Sequence, residues 1–95
     1  MTVLQIEHSV RDYDQWKRTF DSDPLGRADG GVKRHRVFQS AGDPNGVVIQ
    51  LEFDSTEEAQ AFERKLHDLW GRVGSDLGLE NRRSSILEVA ESADY

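Results

Sequence analysis

The 95-residue chain has no cysteine. Disulfides, thiolate metal sites, iron–sulfur clusters and a cysteine nucleophile are therefore excluded. Long apolar runs are also missing, the longest being Val47-Val48-Ile49. That excludes a transmembrane helix and a signal-peptide core, so no membrane partner is expected and the cytoplasm is the expected location. Positive charge is scarce: 12 Lys and Arg stand against 18 Asp and Glu, for a net charge of −6. Such an acidic chain is a poor general binder of nucleic acid or anionic membranes. The deficit lies wholly in residues 47–95, which carry 5 basic and 11 acidic side chains, whereas residues 1–46 carry 7 of each. What remains is 36% hydrophobic and 8% aromatic, enough apolar material for a folded chain rather than a disordered one. The length fits one domain, residues 1–95.

Periodicity predicts six elements. Thr2 to His8 alternates, with Leu4, Ile6 and His8 on one face and Val3, Gln5 and Glu7 on the other, as in a strand. Asp12 is placed to cap a helix, with Gln15 three residues on. Tyr13, Trp16 and Phe20 then fall on one helical stripe, and Pro24 with Gly26 end it. A long polar connection, 21–31, closes at Gly30-Gly31. A second strand is expected from about Val32 to Gln39, a turn at Asp43-Pro44-Asn45-Gly46, and a third strand from Val47 to Phe53. Ser55 and Glu58 form a capping box. Behind it Ala59, Phe62, Leu66, Leu69, Trp70 and Val73 keep helical spacing. A last strand is expected from about Ser84 to Val89, followed by a loose or partner-bound tail. The order is βαββαβ, and two crossovers on one antiparallel sheet give a ferredoxin-like plait with both helices on one face.

Leu4, Ile6, Ile49, Leu51, Leu87 and Val89 are expected to face the helices. The opposite face then carries Val3, Gln5, Glu7, Val48, Gln50, Glu52, Ile86 and Glu88. Arg34 and Arg36 are placed on that second face, across from Glu52 and Gln50, where they offset the carboxylates. A one-residue slip would put His35 there instead. Such a half-apolar, half-charged face is either solvated or closed against a second copy, and the pattern leaves both open.

One combination of segments goes further. Leu4-Gln5-Ile6-Glu7-His8, Asp12-Tyr13-Asp14 with Trp16 and Phe20, Asp23-Pro24 with Gly26-Arg27, Gly31-Val32 before a basic strand, and Leu51-Glu52-Phe53-Asp54 resemble small actinobacterial-type proteins of the dimeric α+β barrel superfamily. That superfamily includes antibiotic-biosynthesis-monooxygenase-like domains and some polyketide cyclases. The resemblance spans most of residues 3–73. It implies a homodimer whose sheets pack face to face, with ligands held between sheet and helices or inside the barrel. It transfers no catalytic residue, and the superfamily's activities are diverse.

Candidate residues are weighed against plainer roles. His8, at a strand end beside a helix, is a general base or a loop-bound histidine. Tyr13, Trp16 and Phe20 line an aromatic pocket or pack the core. Arg34 and Arg36 stabilise an enolate or pair with Glu7, Glu52 and Glu88, any one of which is alternatively an acid or base. Gln50 and Glu52 complete the candidate ligand-binding set. The three histidines sit on three elements without metal-ligand spacing, so no metal is expected. Gly30-Gly31 is a turn and not a phosphate loop. Lys33-Arg34-His35-Arg36 invites an RNA-binding comparison, but the third strand lacks the aromatic stacking pattern and its outer face carries glutamate.

The expected function is binding of a small hydrophobic or aromatic, polyketide-like molecule and its conversion without a cofactor. His8 or a sheet glutamate takes a proton and Arg34 or Arg36 steadies the enolate. Oxygen addition makes this a monooxygenase and internal carbon–carbon attack a cyclase. The rival is a non-catalytic dimeric binding or accessory module. A haem-handling role lacks a well-placed ligating histidine.

Overall fold

A computed structural model describes all of residues 1–95. The elements are β1 (Thr2–Ser9), α1 (Tyr13–Asp21), β2 (Arg34–Ser40), β3 (Asp43–Phe53), α2 (Thr56–Val73) and β4 (Glu80–Glu88). The four strands form one antiparallel sheet in the order β2-β3-β1-β4. This is the expected ferredoxin-like plait.

Both helix starts are built as the sequence indicates. The Asp12 carboxylate accepts from the Gln15 amide at 3.2 Å, and the Ser55 hydroxyl accepts from the Glu58 amide at 3.2 Å. The core is a single cluster of 11 buried apolar side chains. Leu4 and Ile6 of β1 join Val47, Ile49, Leu51 and Phe53 of β3, under Ala59, Phe62 and Leu66 of α2. The register pairs like with like: Leu4 opposite Leu51, Ile6 opposite Ile49, His8 opposite Val47. α1 differs from α2 in that none of its residues is fully buried. Tyr13, Trp16 and Phe20 touch the core from one side and leave space beneath them.

Two expectations fail. The first is the facing of β4. Ile86 pairs with Leu4 on the helix side, while Leu87 pairs with Val3 on the open face and is 43% exposed. The polar neighbours of Ile86 tolerate the helix side because α2 supplies partners. Glu88 accepts from Thr56 at 2.6 Å and from Thr2 at 2.9 Å, and Ser84 donates to Glu63 at 2.7 Å. These hydroxyls also hold the Glu88 carboxyl below its ordinary pKa. Val89 lies beyond the strand, 47% exposed.

The second concerns Asp43-Pro44-Asn45-Gly46. The chain reverses earlier, at Ala41-Gly42, with Ser40 opposite Asp43. The turn-forming residues instead make a bulge inside β3, since the next pair is Gln39 with Val47. The Asp43 carboxylate accepts from the Asn45 amide at 3.0 Å, and Pro44 has no N–H to leave unpaired.

Candidate functional site

The space under α1 is a cavity of about 220 Å³ between the sheet, both helices and the loop that follows α1. Its lining is mostly apolar. Polar side chains are confined to His8, Thr19, Asp23 and Arg27. Trp16 and Phe20 form the α1 wall, their rings 5.2 Å apart, and Trp70 comes from α2. Trp70 was visible in the sequence only as one member of the α2 stripe. Its place one turn beyond Leu66 aims it at the same sheet face.

His8 sits in the cavity wall, 6% exposed, with Trp16 at 5.6 Å and Trp70 at 6.4 Å, both edge-on. Burial pushes its pKa down to about 4. The Ser9 backbone offsets part of that, and the charge of Arg82 adds to it. The imidazole is therefore neutral at pH 7. Its Nδ1 is buried and completes no hydrogen bond. The strand beside it is irregular: pairing steps from Glu7–Arg83 to Ser9–Glu80, and Asn81 takes a φ of 55°. Arg82 is held there by a 3.0 Å bond from its Nη1 to the Trp70 carbonyl. A bulge next to an unpaired buried polar group is a common mark of a working site.

The loop 22–33 closes the cavity from the α1 side through Asp23, Pro24, Leu25 and Arg27. It is a chain of turns, not a slack connection. Gly26 bonds to Asp23, Gly30 to Gly26, Gly31 to Ala28 and Val32 to Arg27, at 2.9 to 3.2 Å. Gly30 and Gly31 press it against α2 so closely that a Cβ at Gly30 would meet the Phe62 ring at 2.7 Å, and one at Gly31 the Glu58 carboxylate.

The structure divides the candidate residues between two surfaces. His8, Trp16 and Phe20 share the cavity, while Tyr13 sits behind Trp16 at 5.8 Å, off the lining. Glu7, Arg34, Arg36, Gln50 and Glu52 are on the other side of the sheet. Arg34 donates to Glu52 at 2.6 Å, Arg36 to Gln50 at 3.0 Å, and Gln50 to Gln5 at 3.0 Å. Glu7 lies 3.6 Å from Arg83. The expected facing of Arg34 and Arg36 is thus observed, but the sheet separates them from His8 within one chain. His35, on the helix side, lies edge-on to Phe20 at 5.3 Å. His67 stacks on Trp70 and shares a 2.7 Å hydrogen bond with Ser84.

No protein-family model and no curated protein matches the chain. Solved structures do. SnoaB from Streptomyces nogalater, described as a cofactor-independent oxygenase, superposes with a TM-score of 0.71 at 13% identity, over 96% of this chain and 94% of that one. A candidate antibiotic biosynthesis monooxygenase from Nitrosomonas europaea gives 0.62 at 23% identity, over 96% and 100%. A dimeric ferredoxin-like protein from an uncultured marine organism gives 0.66 at 14%, over 97% and 96%. The chain shares the ferredoxin-like fold of these structures, one of which is described as dimeric. At these identities the likeness covers architecture and leaves the residues of the cavity to speak for themselves.

Proposed function

We propose that the protein binds a small aromatic molecule in the cavity beneath α1 and that His8 accepts a proton from it. The observation that carries this is a neutral, buried histidine in the wall of an aromatic-lined cavity. A cavity of about 150 Å³ accommodates benzene, so about 220 Å³ suits one or two fused rings. A larger polyketide would need the 22–33 loop to open.

Low basicity does not disqualify His8. An isolated imidazolium is disfavoured there, but proton transfer from a bound acid creates an imidazolium beside an anion, and the pair costs less than the lone charge. The resulting carbanion or phenolate is the species from which cofactor-free oxygenation or cyclisation proceeds. The likeness to SnoaB supports the oxygenase branch. The same low basicity favours a second reading, in which His8 only accepts a hydrogen bond and the cavity is a carrier site. Under either reading the protein is a homodimer closed through its open sheet face.

Deuterium exchange separates the two. 2-Tetralone is bicyclic and has an activated C–H beside its carbonyl. In D₂O, wild-type protein is expected to speed exchange at that carbon above the buffer rate, and His8→Leu to return it to that rate. Binding of 2-tetralone without faster exchange would sink the catalytic reading and leave the carrier. Absence of binding would remove both.

A further inference from the structure

We infer that Arg27 is the specificity residue of this cavity and that its ligand carries a carboxylate. The inference rests on the cavity being the binding site. Arg27 supplies the only cationic side chain in the lining, and its side chain is only 18% exposed. Its guanidinium lies over the Phe20 ring, with Cζ 3.9 Å from the centroid, and Phe20 is itself a wall of the cavity.

The hydrogen bonds of this guanidinium are unevenly spent. Nη1 donates to the Phe20 carbonyl at 2.9 Å and lies 3.6 Å from the Asp23 carboxylate. Nε and Nη2 make no hydrogen bond within the chain. They form the side edge of the fork, whose parallel N–H groups match the two oxygens of a carboxylate. That edge has no partner within the chain and is not sealed from solvent, so it stays open to a ligand.

Asp23 does not saturate that charge. Both of its oxygens accept from the Arg27 backbone amide, at 3.0 and 3.2 Å, which fixes the turn and holds the carboxylate on the Nη1 side. Asp23 has a φ of 57°, and Gly26 follows at 67°. The backbone is bent to bring residue 27 over Phe20, and Asp23 is the clamp. Through the ladder His8–Trp16–Phe20, the guanidinium and the imidazole stand at the two ends of one aromatic wall. An aryl carboxylate therefore meets Arg27 with its anion while its ring lies along Trp16 and Phe20 towards His8.

Calorimetric titration with 2-naphthoate and with neutral 2-naphthalenemethanol tests this, since the two differ in the anionic group and little in ring size. Wild-type protein is expected to prefer the carboxylate at least tenfold. Arg27→Gln should erase the preference and leave the alcohol's affinity within about twofold. Asp23→Asn gives a prediction of the opposite sign, and asparagine tolerates the positive φ. It keeps an acceptor for the turn, removes a negative charge from the cavity wall, and should tighten carboxylate binding several-fold without changing the alcohol. Equal binding of the two ligands by the wild type, or a preference unmoved by both variants, overturns the role of Arg27 and leaves the cavity standing. Failure of the wild type to bind either ligand overturns the cavity and this inference together.

Discussion

His8 is buried in the fold and open to water in the unfolded chain. In the unfolded chain its pKa is the ordinary 6.5; in the fold it is about 4. Between those values the unfolded chain binds more protons, so stability falls as the pH drops from 6.5 and the loss is complete near 4. The shift corresponds to roughly 3 kcal/mol. Urea unfolding at fixed protein concentration should show the wild type losing that much more than His8→Leu between pH 7 and pH 4. Parallel pH profiles for the two proteins would contradict the burial argument. The sequence marked His8 through its place in the strand alternation, because a polar residue in phase with Leu4 and Ile6 must point at the helices. Arg27 was not legible in that way. A lone arginine in a loop has no periodicity, and its contact with Phe20 depends on turns at Asp23 and Gly26 that only the folded backbone displays. Arg34 and Arg36 were legible because Glu52 and Gln50 alternate opposite them.

At the scale of elements, the 22–33 loop is the part whose order the sequence understated. It reads in the sequence only as a long polar connection, yet it is pinned at its end by two glycines. Gly31 has a φ of 96°, and a Cβ there would run into the Glu58 carboxylate that also receives the Ser55 hydroxyl at 3.2 Å. Gly31→Ala should therefore cost about 1–3 kcal/mol in urea unfolding. Because the loop carries Arg27 and Leu25 into the cavity, the same change should weaken ligand binding. Gly42 is the contrast: a Cβ there meets nothing within 4 Å, and Gly42→Ala should be neutral or stabilise by up to about 1 kcal/mol. Equal losses at both positions would mean that the loop is not docked as described. The misplaced facing of β4 has a similar origin. Alternation assigns apolar residues to the core, but here Ser84 and Glu88 reach hydroxyl and carboxylate partners on α2 and β1, so the usual penalty is absent. Nothing in β4 itself announces those partners.

At the scale of the whole molecule, the element order was legible from periodicity, and the open sheet face bears on the proposed dimer. Register places three rows across it: Phe38, Val48, Glu7, Arg83; then Arg36, Gln50, Gln5, Ser85; then Arg34, Glu52, Val3, Leu87. Phe38 with Val48 and Leu87 with Val3 are apolar and occupy opposite corners. Charged pairs hold the other two. A second copy laid over this face with its strands aligned would set apolar corners on charged ones. Crossed at nearly 90°, apolar corners meet apolar corners, which is the orthogonal form of sheet packing. A twofold axis along the diagonal from Phe38 to Leu87 brings Glu7 towards the arginine edge of the second copy, and either diagonal leaves an arginine facing an arginine. That axis makes Phe38 and Leu87, 41% and 43% exposed in the single chain, self-contacting positions. The cysteine-free sequence allows a clean test. Phe38→Cys and Leu87→Cys should each form a disulfide-linked dimer of about twice 10.8 kDa on mild oxidation, because no other thiol is present to pair with. A mixture of the two variants that yields mainly the mixed disulfide would select the other diagonal. Monomers throughout, by sedimentation and by cross-linking, would mean that the open face is solvated, and Phe38 would then be an exposed aromatic with only Arg36 over its ring at 5.3 Å.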